Sequence, residues 1–324
     1  MKFGSFSIIL DKNEYKHLGF KFDSVDNILM KLSQINSCQE GEIKNIDFLT
    51  KTNDYVIKIY KYTKIDINID KNILEYLKKG IEEHDIEDIF HLNLEKEKFI
   101  GYFIENLGKI DLFDSIAHIL ENKTNIWSDN TPTHLNEFIT QMCEALQYLE
   151  QNKICHFDIK PENIMYNDIE SISFGKRFKL IDFGFAETYP FIKYIKKSRG
   201  TPIYAPYHSN INYPEWALEL YPNDRLYNTY SKTSVHYVIQ HSSPIDLLYK
   251  TDIFSMGMVF NQLLFYVNKY IEQSEYRNIN DLIHNMTDIN IVTRYTSKQC
   301  IAFLENEEKK IGCSIECCFN LIKL

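Results

Sequence analysis

The segment Asn53–Tyr62, NDYVIKIYKY, alternates with the two-residue period of a strand, placing Val56 and Lys58 on one face and Ile57 and Ile59 on the other. Lys98–Gly108, KFIGYFIENLG, reads as another strand that runs into a loop. Between them DKNILEYLKKGI carries Ile73, Leu74, Leu77 and Ile81 at helical spacing. From Pro132 the period lengthens into a helix with Leu135, Phe138, Ile139, Met142, Leu146 and Leu149 on one stripe, and Thr131 before that proline is a plausible cap. NIMYN and RFKLIDF follow as short strands, then an irregular stretch to about Lys250, then mostly helix. A β-rich first third joined to a helical remainder predicts an α+β protein of two lobes, with any ligand at their junction.

Composition narrows the class. At 324 residues and 44% apolar content the chain can bury one large core or two moderate ones. A net charge of −9 and the lack of a basic run argue against nucleic acid or an anionic membrane as partner. Of the 36 basic residues only Arg177, Arg199, Arg225, Arg277 and Arg294 are arginine. The longest apolar run, Ile253–Val267, contains Ser255, Asn261 and Gln262 and is shorter than the roughly 20 residues that span a bilayer, so a buried helix is expected. The opening MKFGSFSIILDKNEY does not read as a secretory signal. The seven cysteines, Cys38, Cys143, Cys155, Cys300, Cys313, Cys317 and Cys318, follow no repeating spacing and suit reduced thiols in an intracellular setting; the C-x-x-x-C-C spacing of Cys313, Cys317 and Cys318 has no matching pair and no His cluster nearby, so an apolar helix face rather than a metal site is expected there.

The chemistry concentrates in one octet. His156, Asp158, Lys160, Pro161 and Asn163 occupy H-x-D-x-K-P-x-N, a set that chance would produce on the order of once in a few million windows. Nineteen residues after Asn163 stands Asp182-Phe183-Gly184 in IDFGFAE. Together these resemble the catalytic loop and metal-binding segment of the eukaryotic protein kinase superfamily. The resemblance implies a two-lobed kinase-like fold that uses ATP and Mg²⁺, with a serine or threonine hydroxyl of a protein as acceptor. Phosphoryl transfer needs a carboxylate for the attacking hydroxyl, oxygen ligands for the metal and a cation on the phosphates. Asp158 is the expected base, Lys160 the partner of the transferred group, and Asn163 and Asp182 the metal ligands.

The resemblance extends upstream and downstream. Lys58 in YVIKIY resembles the family's strand lysine, and INSCQEGEI, Ile35 to Ile43, its glycine-rich loop, with only Gly41 of three glycines kept. Ile35, Gly41, Ile43 and Lys58 are therefore expected at the nucleotide, with Glu75 pairing Lys58, backbone groups of Glu105 and Leu107 on the adenine edge, and Asp111 toward the ribose. SRGTPIYAP resembles the end of the activation segment, with Tyr207 where the family has glutamate. An arginine left without that glutamate is costly when buried, so Glu215 is expected to pair with Arg294. KTDIFSMG resembles the start of the central helix, with Phe254 in place of tryptophan. Phe157 stands where many kinases carry an arginine that receives an activation-segment phosphate, which implies activity independent of that phosphorylation.

The expected organisation is an extension over 1–33, a small lobe over 34–107 and a large lobe over 108–324, with an aromatic-rich insert at about 207–245. Two other readings stay open on sequence: a pseudokinase or nucleotide-binding scaffold, suggested by the degenerate glycine loop, and a small-molecule kinase of related fold. The K-P-E-N continuation and the G-T-P segment favour protein substrates.

Overall fold

The computed structural model of the chain describes residues 2–4, 7–22, 28–34, 45–51, 53–65, 75–76, 79, 99–108, 110–121, 131–166, 177–188, 200–201, 203–206, 249–288 and 290–306. They fall into two compact units, Met1–Gly108 with Asp182–Phe185, and Lys109–Ile181 with Ala186–Leu324.

The first unit is built on an antiparallel sheet of five strands: β1 (Lys2–Gly4), β2 (Ser7–Leu10), β3 (Ile28–Gln34), β4 (Ile59–Ile65) and β5 (Phe99–Glu105), in the order β1-β2-β3-β5-β4. The stretch 1–33, expected as an N-terminal extension, supplies β1, β2 and all but the last residue of β3. Strand alternation sends Ile28, Met30 and Leu32 to one face and Leu29, Lys31 and Ser33 to the other. On the first face Ile8, Leu10, Phe99 and Phe103 join them around Tyr15, with Leu18, Phe20, Phe22, Tyr60 and Tyr76 packed against the cluster. Tyr15 comes from the six-residue helix α1 (Lys12–His17). So short a helix needs its ends satisfied. Asp11 caps it by accepting from the N–H groups of Asn13 and Glu14, while Glu14 accepts the N–H of Asp11 in return.

The expected strand Asn53–Tyr62 begins later, at Ile59, with a bulge between Ile59 and Lys61; Lys58 therefore precedes the regular ladder. The second short helix, α2 (Ile46–Leu49), buries Phe48 and Leu49.

In the second unit α3 (Leu112–Leu120) opens at Asp111, whose side chain accepts the N–H of Asp114. The long helix expected from Pro132 is α4 (Thr131–Gln151), and Leu135, Phe138, Ile139, Met142, Leu146 and Leu149 are all buried along its stripe. Phe138 meets Phe178 and Phe260 edge to face, with ring centroids 4.9 and 5.5 Å away. Two small ribbons, β6 (Ile154–Cys155) with β9 (Glu187–Thr188) and β7 (Ile164–Tyr166) with β8 (Phe178–Leu180), carry the loops between them. Helix α5 (Lys250–Val267) is buried on every side from Lys250 to Phe260.

Lys250 and Arg294 clasp each other's backbone. Arg294 Nη1 donates to the Lys250 carbonyl at 2.8 Å, and Lys250 Nζ to the Arg294 carbonyl at 2.6 Å. Arg294 Nε donates to the Asp288 carbonyl, and its guanidinium lies 4.9 Å from the Phe254 ring centroid. Glu215 lies outside the described residues. Cys143 hydrogen-bonds to Cys300, and that contact together with burial holds its pKa well above the usual thiol value. No helix among the described residues is long and apolar enough to cross a membrane.

Helix α6 (Gln273–Met286) meets α5 at Gly257, where a Cβ would lie 2.7 Å from Thr287 Cγ2 and 2.9 Å from Met286 Cβ. Gly257→Ala is accordingly expected to destabilise the protein by about 1–3 kcal/mol, read as a lower urea midpoint at unchanged slope. An unchanged midpoint would show that the contact yields freely.

Candidate active site

The octet His156–Asn163 lies between β6 and β7 and is fixed from below by one buried carboxylate. Asp252, in the first turn of α5, accepts the N–H of His156 at 2.6 Å and that of Phe157 at 2.9 Å. Phe157 has φ 64, a left-handed conformation unfavourable for a bulky residue, and its side chain is buried. His156 Nε2 is 2.9 Å from the Ile181 carbonyl and its Nδ1 is 3.3 Å from the Asp158 N–H. The tautomer that donates from Nε2 and accepts at Nδ1 satisfies both contacts. Pro161–Asn163 then forms a single 3₁₀ turn that swings Asn163 back toward Asp158.

Asp158 is 7% exposed and its two oxygens have different surroundings. Oδ1 accepts both the N–H of Thr201 at 2.9 Å and its hydroxyl at 2.8 Å. Oδ2 faces Asn163 Nδ2 at 3.2 Å and Lys160 Nζ at 3.6 Å. Asn163 Nδ2 also donates to the Asp158 carbonyl at 2.8 Å, which leaves the amide oxygen as the atom available to a cation. The arrangement holds a carboxylate with one oxygen saturated and the other beside an ammonium, suited to take a proton from a hydroxyl.

In the first unit Lys31 Nζ lies 3.2 Å from Asp182 Oδ1. Lys31 is 8% exposed, on β3 opposite Ile9 and Tyr102. Asp182 has φ 59, and the next residue, Phe183, is buried with its ring 6.0 Å from that of Phe48 on α2. The lysine beside Asp182 is thus Lys31. Lys58, the expected one, lies with its ammonium 4.9 Å from the Tyr60 ring centroid. Glu75 is exposed, and its neighbour Tyr76 packs on His17 and on the sheet face opposite to that of Lys31.

Other expected residues take mixed places. The N–H of Glu105 donates to the Lys58 carbonyl at 3.0 Å, and its carboxylate accepts the Lys58 N–H at 3.3 Å. Leu107 is buried. Asp111 serves as the cap of α3. Ile35, Gly41, Ile43 and Tyr207 lie outside the described residues. Sequence reasoning did not single out Lys31, Thr201 or Asp252. Lys31 sits in ILMKLS, as apolar before its lysine as YVIKIY, and Thr201 follows Gly200 in the G-T-P segment.

The protein kinase domain profile matches residues 31–208, more than half of the chain, and the chain belongs to that family. The match begins at Lys31. Among curated proteins, serine/threonine-protein kinase stk11 homolog of Dictyostelium discoideum is 32% identical over 133 residues, 40% of this chain and 20% of that protein. Homeodomain-interacting protein kinase 4 of Mus musculus is 30% identical over 143 residues, 44% of this chain and 22% of that one. Myosin light chain kinase 3 of Danio rerio is 45% identical over 65 residues, 20% of this chain and 8% of the relative. The matched segments thus span between 8% and 22% of these relatives' length.

Burial raises the Asp252 pKa from 3.8 to about 6, against the opposing pull of the His156 ring and the two N–H donors. A carboxyl with a raised folded-state pKa takes up a proton on folding between those two values. Lowering the pH through 6 therefore relieves this group's cost to stability while removing part of its capacity to accept. Hydrogen exchange at the His156 and Phe157 amides, corrected for intrinsic rate, is expected to lose protection below about pH 6, and Asp252→Asn to lower it at every pH. Protection that stays flat from neutral to acidic pH would show that the carboxylate does not hold the loop.

Proposed function

We propose that the chain transfers the γ-phosphoryl group of ATP to a serine or threonine hydroxyl of a protein. The observation that carries this reading is the asymmetric anchoring of Asp158, with Thr201 on Oδ1 and Lys160 and Asn163 at Oδ2. Oδ2 orients the attacking hydroxyl and receives its proton, and Lys160 meets the charge on the transferred group. The oxygen ligands Asn163 and Asp182 fit Mg²⁺, which prefers hard donors. In this reading the nucleotide phosphates and water would supply the remaining ligands. An ion bound by these oxygens would neutralise phosphate charge.

Lys31, rather than Lys58, is the cation for the phosphates in this reading, because it is the lysine already beside Asp182. The hairpin of β1 and β2, next to β3 in the sheet, then takes the covering role expected of 35–43. Glu105 and Leu107 remain the proposed adenine contacts. The relative whose name includes serine/threonine-protein kinase supports the acceptor class.

Incubation with γ-labelled ATP, Mg²⁺ and a mixed protein acceptor should yield phosphoserine or phosphothreonine. Label no greater than with Asp158→Asn would favour the scaffold reading, and label confined to small alcohols or sugars would favour a small-molecule kinase. Lys31→Met is expected to lower kcat/KM by about 10²–10³, and Lys58→Met by less than about threefold. The reverse ranking would return the role to Lys58. Phe157, buried in the arginine's place, offers no phosphate receptor, so phosphatase treatment should leave the rate within about twofold. Loss of activity on that treatment would contradict this independence.

A further inference from the structure

We propose that the side chain of Glu105 is a positioning residue for the nucleotide base: by taking the Lys58 N–H it turns the Glu105 carbonyl out of the sheet and toward the base. The proposal rests on the reading above of Glu105 and Leu107 as adenine contacts. In a complete antiparallel pair of the hydrogen-bonded kind, two facing residues exchange both N–H···O=C bonds. Ile59 faces Ile104 ahead of the bulge in β4, so Lys58 faces Glu105 one step further along. Only half of the exchange is made there. The Glu105 N–H donates to the Lys58 carbonyl at 3.0 Å, whereas the Lys58 N–H donates to Glu105 Oε2 at 3.3 Å. The carboxylate thus takes the acceptor place that the residue's own carbonyl has in a complete pair, and an ionised oxygen is the stronger acceptor of the two.

Two further features support this role. The charge of the carboxylate is felt nearby: burial, and then the Glu105 charge, push the Tyr60 phenol above its usual pKa, and the Lys58 ammonium lies 4.9 Å from the Tyr60 ring centroid. Beyond Glu105 the chain is held a second time. Asn106 Oδ1 accepts the Gly108 N–H at 3.1 Å around the buried Leu107, and Gly108 has φ 99, a conformation that glycine adopts without strain. Side chains therefore tie the backbone at both ends of the Glu105–Gly108 segment, which keeps its peptide groups in one orientation. A carbonyl released from the ladder in this way accepts a hydrogen bond from the 6-amino group of adenine, while a 6-oxo base would set acceptor against acceptor. The Lys58 side chain has no part in this, since only its N–H is used.

The test titrates the full chain, with Mg²⁺ and without acceptor, with ATP and with purine riboside triphosphate, which lacks the 6-amino group. The wild type is expected to bind ATP about tenfold more tightly, the difference that one hydrogen bond makes. Glu105→Asp keeps the charge but withdraws it by one methylene, so the Lys58 N–H loses its acceptor. In that variant the preference for ATP must fall below about twofold, and exchange of the Lys58 amide must accelerate at least about tenfold. Glu105→Gln keeps an oxygen at full reach, and must retain both the preference and the slow exchange within about twofold. No preference for ATP in the wild type, a preference or a Lys58 protection kept in Glu105→Asp, or either one lost in Glu105→Gln would overturn the proposal. Should Glu105→Asp not fold, the nucleotide preference of Glu105→Gln and the protection of the Lys58 amide in the wild type decide. Should the wild type prefer ATP yet transfer no more phosphate than Asp158→Asn, the catalytic reading fails and the positioning role stands.

Discussion

One carboxylate buried at the head of helix α5 organises the second unit. By accepting two consecutive backbone N–H groups, Asp252 fixes the start of the His156–Asn163 loop and holds Phe157 in a left-handed conformation that it would not adopt unaided. Everything later in the loop is referenced to that point. His156 ties the loop to the Ile181 carbonyl, the 3₁₀ turn brings Asn163 under Asp158, and Phe157 turns its carbonyl toward Gly200. A buried acceptor without its donors would be costly, which makes the arrangement close to all-or-none.

The first unit solves a different problem, the burial of a lysine. Lys31 sits on a central strand with only 8% of its surface exposed, a position that an ammonium occupies at high cost unless it meets an anion. Asp182 supplies that anion at 3.2 Å. On the opposite face of the same strand Ile28, Met30 and Leu32 pack in the apolar cluster around Tyr15 of α1, so the alternation of β3 separates a structural face from the one that carries Lys31. In the proposed reading, this charged face supplies the cation for the phosphates.

Much of this was legible in the sequence, and the failures have physical causes. The helix from Thr131 was clear because a 3.6-residue apolar stripe has few other solutions, and the octet was clear because its five polar or constrained residues answer to one chemistry. The lysine was ambiguous because ILMK and YVIK carry the same strand signal, and periodicity does not say which strand lies next to Asp182. The strands before residue 34 were hidden for a related reason: β1 and β2 are three and four residues long, too short to show a period, and they are stabilised by pairing. Thr201 was passed over because a threonine in a loop carries no signal until the fold brings it 43 positions back to Asp158.

The central claim is that a pre-anchored Asp158 performs chemistry and is not merely a structural acceptor. Single-turnover transfer from labelled ATP to a serine- and threonine-containing protein acceptor, with ATP binding measured in parallel, tests it most directly in the wild type and Asp158→Asn. The account predicts near-equal ATP binding and a transfer rate at least about 10²-fold lower in the variant. Equal transfer rates in the two proteins would contradict it.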